Sequence, residues 1–184
     1  MEAAKDWPDD IRLSFNLSAN DIASSESMTR LLSVISRSGI NPRRVDFEIT
    51  ETATLTDLEQ AKTAIGLLKK WGVGISLDDF GTGYSSLSQV HQLALDTIKI
   101  DRSFVTDITT NPTSFKIVKS VLTLSRDMEV ACIVEGVETA EALELLRTLG
   151  CSLIQGYYVS KPMKPESIQG YLQRAELGLR PASS

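Results

Sequence analysis

Apolar residues cluster in six short runs along the chain, at residues 12–17, 44–49, 73–77, 97–100, 130–134 and 152–154. Each is of strand length and is followed by a polar residue or a turn signal, the pattern of buried strands. Between most of them lie amphipathic segments with helix boundaries written into the sequence. Thr56-Asp57-Leu58-Glu59 has the form of a capping box, and Gly72 is a stop for the helix it opens. Asn111-Pro112 places a cap and a proline at the first turn of a helix running to about Met128. Thr139 caps a helix over 140–149 that Gly150 ends, and a last helix is expected over 165–176. Strands alternating with helices predict a parallel sheet, either open and doubly wound or closed as a barrel.

The polar residues at the strand ends separate these two architectures. Asn16, Glu48, Asp78, Lys99, Glu135 and Gln155 stand near the ends of the six runs in turn. An open sheet gathers its ligand groups at one switch point, whereas a barrel takes one group from nearly every strand. Each residue taken singly has a structural alternative: Asn16 as a turn cap, Glu48 and Lys99 as an ion pair, Gln155 as a loop residue. Their shared position favours the barrel. No Gly-x-Gly-x-x-Gly follows the first run, so the dinucleotide fold lacks its fingerprint. A strand-helix unit here takes roughly 30 residues and a full eight-unit barrel about 250, so the 184-residue chain reads as an incomplete TIM-like (β/α) barrel with about six of eight units.

Asp78-Asp79, followed by Phe80-Gly81-Thr82-Gly83, carries the densest candidate chemistry. Adjacent carboxylates leaving a strand can hold a divalent cation, and the same letters fit an Asp-Gly turn. Consecutive strand residues face opposite sides, so one carboxylate is expected to point inward and the other to line the loop.

Composition narrows the field. Net charge is −5 with no dense basic block, which argues against binding a DNA or RNA polymer. Cys132 and Cys151 sit in apolar runs as small buried residues, a usage that suits a reducing compartment. The single histidine, His91, reads as a solvated helix residue, and with no Cys-x-x-Cys pair zinc is disfavoured. No segment has the length and apolarity of a membrane span, and residues 1–6 do not form a signal peptide.

Asn16-Leu17-Ser18, Glu48-Ile49-Thr50-Glu51, the motif from Asp78 to Leu87, Ile98-Lys99-Ile100-Asp101, Val134-Glu135-Gly136-Val137-Glu138 and Gln155-Gly156-Tyr157 occur in this order. Together they resemble the EAL domain, the bacterial cyclic di-GMP phosphodiesterase, over residues 12 to about 163. The resemblance implies a two-metal Mg or Mn site, with Asn16, Glu48, Asp78 and Glu135 as ligands and Asp79 associated with the second ion. It implies that Lys99 contacts the attacking water, that Glu135 is ligand or general base, and that Gln155 supports the water network. Glu51, Gly81, Thr82 and Gly83 would position metal and substrate. The implied reaction opens cyclic di-GMP to linear pGpG. Hard oxygen donors suit Mg²⁺ or Mn²⁺, and two such ions need no nucleophilic side chain.

The chain is also expected to depart from the family. It reads as one partial domain: 1–11 a helix remnant and linker, 12–163 the motif-bearing barrel, 164–184 a C-terminal helix and tail. Two initial strand-helix units are expected to be missing, and with them the Glu-Ala-Leu motif whose glutamate ligates metal on an early strand. That loss should impair catalysis and leave two strand edges open to self-association or to complementation by another chain. A non-catalytic cyclic di-GMP-binding module and a protein-interaction scaffold are the alternatives. A cytoplasmic location is expected, with membrane anchorage of a parent protein left open.

Overall fold

The computed structural model describes residues 1–51, 53, 57–82 and 90–176. Six parallel strands form one sheet in sequential order among these residues: β1 (Leu13–Leu17), β2 (Val45–Thr50), β3 (Gly74–Phe80), β4 (Thr97–Ile100), β5 (Ala131–Val134) and β6 (Leu153–Ile154). The helices are α1 (Ala19–Ala23), α2 (Ser25–Ser38), α3 (Leu58–Lys70), α4 (Pro112–Asp127), α5 (Ala140–Thr148) and α6 (Pro165–Glu176). Sequential parallel order with helical crossovers is the barrel arrangement; an open doubly wound sheet would reverse its order at a switch point.

The caps explain where the helices begin. Asp57 accepts from Gln60 N at the start of α3; Thr56, the expected first residue of that cap, lies outside the described residues. Asn111 and Thr139 cap α4 and α5 as their side chains predict.

Period-two alternation then sorts each strand into two faces. Val45, Phe47 and Ile49 of β2, Ile75 and Leu77 of β3, and Ile98 and Ile100 of β4 are at most 2% exposed and form the core. The intervening residues make the opposite face. Register aligns Asn16 with Glu48, Glu48 with Ser76, and Ser76 with Thr97, and places Thr50 beside Asp78. A polar inner surface therefore runs across β1 to β4.

At the N-terminal end of that surface Arg12 pairs with Asp46, and Gly74 leaves room for them: a Cβ there would lie 1.9 Å from Asp46 Oδ1. Arg44, 6% exposed, holds the segment before β1 through Ile11 O at 2.9 Å and Ala4 O at 3.1 Å.

The edges of the sheet are β1 and β6. The 3₁₀ turn Glu2–Asp6, which leads to β1, packs against α6, which follows β6, so the edges curl toward each other. Beside β6 lies a groove of about 850 Å³ lined in part by Ile154, Tyr157, Tyr158 and Val159. Leu153, Tyr157 and Val159 are exposed there, as expected of an edge whose inner apolar side chains lack a neighbour. Cys132 and Cys151 are free and only half-buried, less enclosed than their apolar runs predicted.

Candidate active site

The expected end of the third strand at Leu77 is corrected by the structure. β3 continues to Phe80, and its pairing with β4 steps from Leu77↔Ile98 to Phe80↔Ile100. Asp78 and Asp79 thus both stand opposite Lys99, a β-bulge that re-aims side chains. Asp79 takes a left-handed backbone, φ 54°, which aspartate tolerates better than most residues. This bulge lets two consecutive carboxylates serve one site where a regular strand would send them apart.

The chain turns tightly beyond the bulge. Thr82 donates through N and Oγ1 to Asp79 O, at 3.2 and 2.8 Å, and Gly81 has φ 98°. Gly81 N donates to Glu51 Oε2 at 3.3 Å, with Glu51 itself buried. Glu51, Gly81 and Thr82 therefore act together to set the exit of β3, while Gly83 falls outside the described residues.

Lys99 is the centre of the site. Its Nζ lies 2.6 Å from Glu135 Oε1, 2.9 Å from Glu48 Oε1 and 3.2 Å from Asp78 Oδ1, with the lysine side chain 5% exposed. Glu48 reaches it from β2, Asp78 from β3 and Glu135 from the residue after β5, whose N donates to Ile100 O at 3.1 Å. Ser14 Oγ donates to the same Glu48 oxygen. Three carboxylates against one ammonium leave a formal excess of two negative charges. Asp78 Oδ1 and Glu135 Oε1 are buried and face the Lys99 ammonium, at 3.2 and 2.6 Å.

These contacts move the titration of the groups. Burial works against the Lys99 ammonium, but close contact with Glu135 and Glu48 and the charge of Asp78 outweigh it and raise its pKa. Burial raises Glu135, only partly offset by Lys99, and Asp78 and Glu48 add to the rise. Asp79 is raised by burial first and then by Asp78 and Asp101.

An acid whose folded pKa is raised gives its stability in full below the unfolded value and loses it as pH climbs through the folded one. Asp79→Asn in metal-free protein is therefore expected to raise the melting temperature at pH 7 by roughly 2–4 °C. The gain should vanish towards the ordinary aspartate value of about 3.9. Melting curves in chelator across that range check it, and an equal gain at both ends of the range would show that repulsion is not the cause.

The donor set fits a hard divalent cation. Its atoms are carboxylate oxygens, two of them buried against the ammonium, and the excess charge is negative. Among the described residues no three Asp, Glu, His or Cys side chains converge closely enough on one another to hold a metal as they stand. Glu48, Asp78 and Glu135 converge instead on the ammonium.

Of the residues expected from sequence, the structure brings Glu48, Asp78, Lys99 and Glu135 into direct contact and sets Asp79 beside them. Asn16 is level with Glu48 on the edge strand, exposed. Gln155 follows β6, its backbone bonded to Val134 and Val137, and its side chain is exposed. Two residues were missed. Ser14 stands two positions before Asn16 and so on the same face, a signal that alternation offers. Asp101, whose charge raises Asp79, stands in the Lys99 motif two residues on. Glu-Ala-Leu is present in the chain, contrary to expectation, at Glu141-Ala142-Leu143. It lies in the first turns of α5 with Glu141 exposed, on a helix and apart from the Lys99 contacts.

The sequence model described as the EAL domain matches residues 1–162. The cyclic di-GMP phosphodiesterase NbdA of Pseudomonas aeruginosa is 31% identical over 163 residues, 89% of this chain and 21% of that protein. The chain spans about a fifth of the length of the first curated relatives it matches. A solved structure of the phosphodiesterase PaMucR in complex with c-di-GMP is 33% identical with a TM-score of 0.82, over 85% of this chain and 64% of that one. A Klebsiella pneumoniae BlrP1 manganese/cyclic di-GMP complex is 32% identical with a TM-score of 0.80, over 88% and 42%. The strand order, the carboxylates gathered at the strand ends and the match over most of its length make this chain a member of the EAL domain family.

Proposed function

We propose that the chain forms the hydrolytic face of a Mg- or Mn-dependent phosphodiesterase that opens cyclic di-GMP to linear pGpG. The observation that carries this reading is the buried Lys99 ammonium held by Glu48, Asp78 and Glu135 at the C-terminal ends of barrel strands, in a family that includes a named cyclic di-GMP phosphodiesterase.

Asn16, Glu48, Asp78 and Glu135 would hold one cation, and Asp79, with Asp101 beside it, a second. Bound there, such ions supply positive charge to the diester and lower the pKa of water. Lys99 donates to an incoming hydroxide and orients it. Glu135, whose pKa burial raises, accepts the proton of the attacking water. Gln155 supports the water network from β6, and the Glu51–Gly81–Thr82 turn fixes the loop over the substrate. With no dense basic block, the chain takes a dinucleotide and not a nucleic-acid polymer.

The described residues act as part of a barrel whose outer strands, β1 and β6, each have an unpaired edge among them. Further strands, from the same polypeptide, a second copy or another chain, would complete the barrel at those two edges. No helix among the described residues is long and apolar enough to cross a membrane, and the dinucleotide substrate implies work in the cytoplasm.

Incubating protein in excess over cyclic di-GMP with and without Mn²⁺, and resolving products by chromatography, tests the reading. Metal-dependent pGpG is the expected result. Tight binding without product would make the chain a sensing module, and neither activity would leave an interaction scaffold.

A further inference from the structure

We propose that Lys99 is a built-in competitor of the divalent cation: its ammonium occupies the meeting point of the carboxylates, keeps the metal-free domain folded, and must be displaced from Glu48 and Asp78 for metal to bind. This deepens the metal-dependent reading above and rests on it.

The geometry supplies the argument. Lys99 lies between Ile98 and Ile100, both 0% exposed, so its backbone is fixed and only the long side chain is free to shift. That side chain reaches three carboxylates from three different strand ends, and Ser14 braces one of them from β1. With each carboxylate turned to the ammonium, no three of them converge as a metal cage. The buried oxygens that the ammonium contacts, Asp78 Oδ1 and Glu135 Oε1, are also atoms a hard cation would take. A monovalent, movable charge thus neutralises part of the cluster at a cost in metal affinity, since an ammonium and a dication within a few ångström repel strongly in a half-buried site. Removing the charge should then have opposite consequences for metal-free stability and for metal binding, a pairing that a purely structural lysine would not produce.

The test compares wild type with Lys99→Met and Lys99→Gln. Bound Mn²⁺ is counted from the loss of the free-ion electron paramagnetic resonance signal, and melting is followed with and without metal. Both variants are expected to bind Mn²⁺ at least about tenfold more tightly, to melt lower than wild type in chelator, and to gain more on adding Mn²⁺. Wild-type binding with unchanged or weaker binding in the variants overturns the competition while leaving the metal reading intact; no Mn²⁺ binding by any of the three overturns both. If neither variant folds, the ¹⁵N ammonium resonance of Lys99 in wild type decides. A shift with faster hydrogen exchange on Mg²⁺ binding supports displacement, and an unmoved resonance in Mg²⁺-stabilised protein refutes it.

Discussion

Asp78→Asn is expected to lower hydrolysis of cyclic di-GMP by about a hundred- to a thousandfold while leaving the metal-free fold as stable as before, or more so. The two halves of this expectation separate a ligand from a structural ion pair. Removing one partner of a buried ion pair typically costs about 3–5 kcal/mol, because the other charge is left uncompensated. Here the other charge keeps company: Lys99 retains Glu48 at 2.9 Å and Glu135 at 2.6 Å, and Asp78 makes the longest of the three contacts. Its loss also relieves Asp79 and Glu135, both of whose pKa values Asp78 raises.

Function has no such reserve. A carboxamide contributes no charge to a dication, and losing a single preorganised electrostatic contact in a shielded site slows chemistry by about 10²–10³. Turnover measured with Mn²⁺, beside thermal melting in chelator, checks both halves. A variant that melts much lower yet still turns over would make Asp78 a structural residue.

How much of this was visible in the letters differs from residue to residue. The six strands and the polar groups at their ends were legible because a period of two and helix caps are local signals, present within a few residues. Helix α6 was expected over the residues it occupies, and the caps Asn111 and Thr139 bond as expected. The bulge at Asp78-Asp79 was not legible. An apolar run ending in two aspartates looks like a strand that has stopped, and only pairing with β4 reveals that it goes on to Phe80.

Lys99 tells the same story at longer range. Sequence offered a pair with Glu48; the structure adds Asp78 and Glu135, from positions 21 residues before and 36 after, brought in by register and crossover. Gln155 shares the strand-end position that drew attention to it, but it follows the two-residue edge strand β6 and its side chain is exposed. Position along a strand was readable, and enclosure by neighbours was not.

Gly136→Ala should be a damaging small change, lowering stability by about 2–4 kcal/mol and activity by about a hundredfold. Gly136 follows Glu135 with φ 70°, a conformation that costs a side chain about 1 kcal/mol. The added Cβ would lie 2.4 Å from Arg102 Cβ and 3.1 Å from Arg102 Cα, so part of the clash is with backbone that cannot swing aside. Arg102 begins the 3₁₀ turn capped by Asp101, the carboxylate whose charge reaches Asp79. Relief therefore requires parting the Glu135 segment from the Asp101 turn, and a displacement of about 1 Å at a catalytic group can cost a hundredfold in rate. Gly39→Ala is the control: Gly39 has φ 72° but nothing within 4 Å of the new Cβ, so backbone strain acts there without a clash. For a domain of this size the Gly136 variant should melt roughly 5–15 °C lower, and the Gly39 variant only about 2–4 °C lower with turnover unchanged. Equal losses in the two variants would mean that backbone strain, and not the contact with Arg102, sets the cost. In that event the close approach of the Glu135 and Asp101 segments would not be what holds the two sides of the site together.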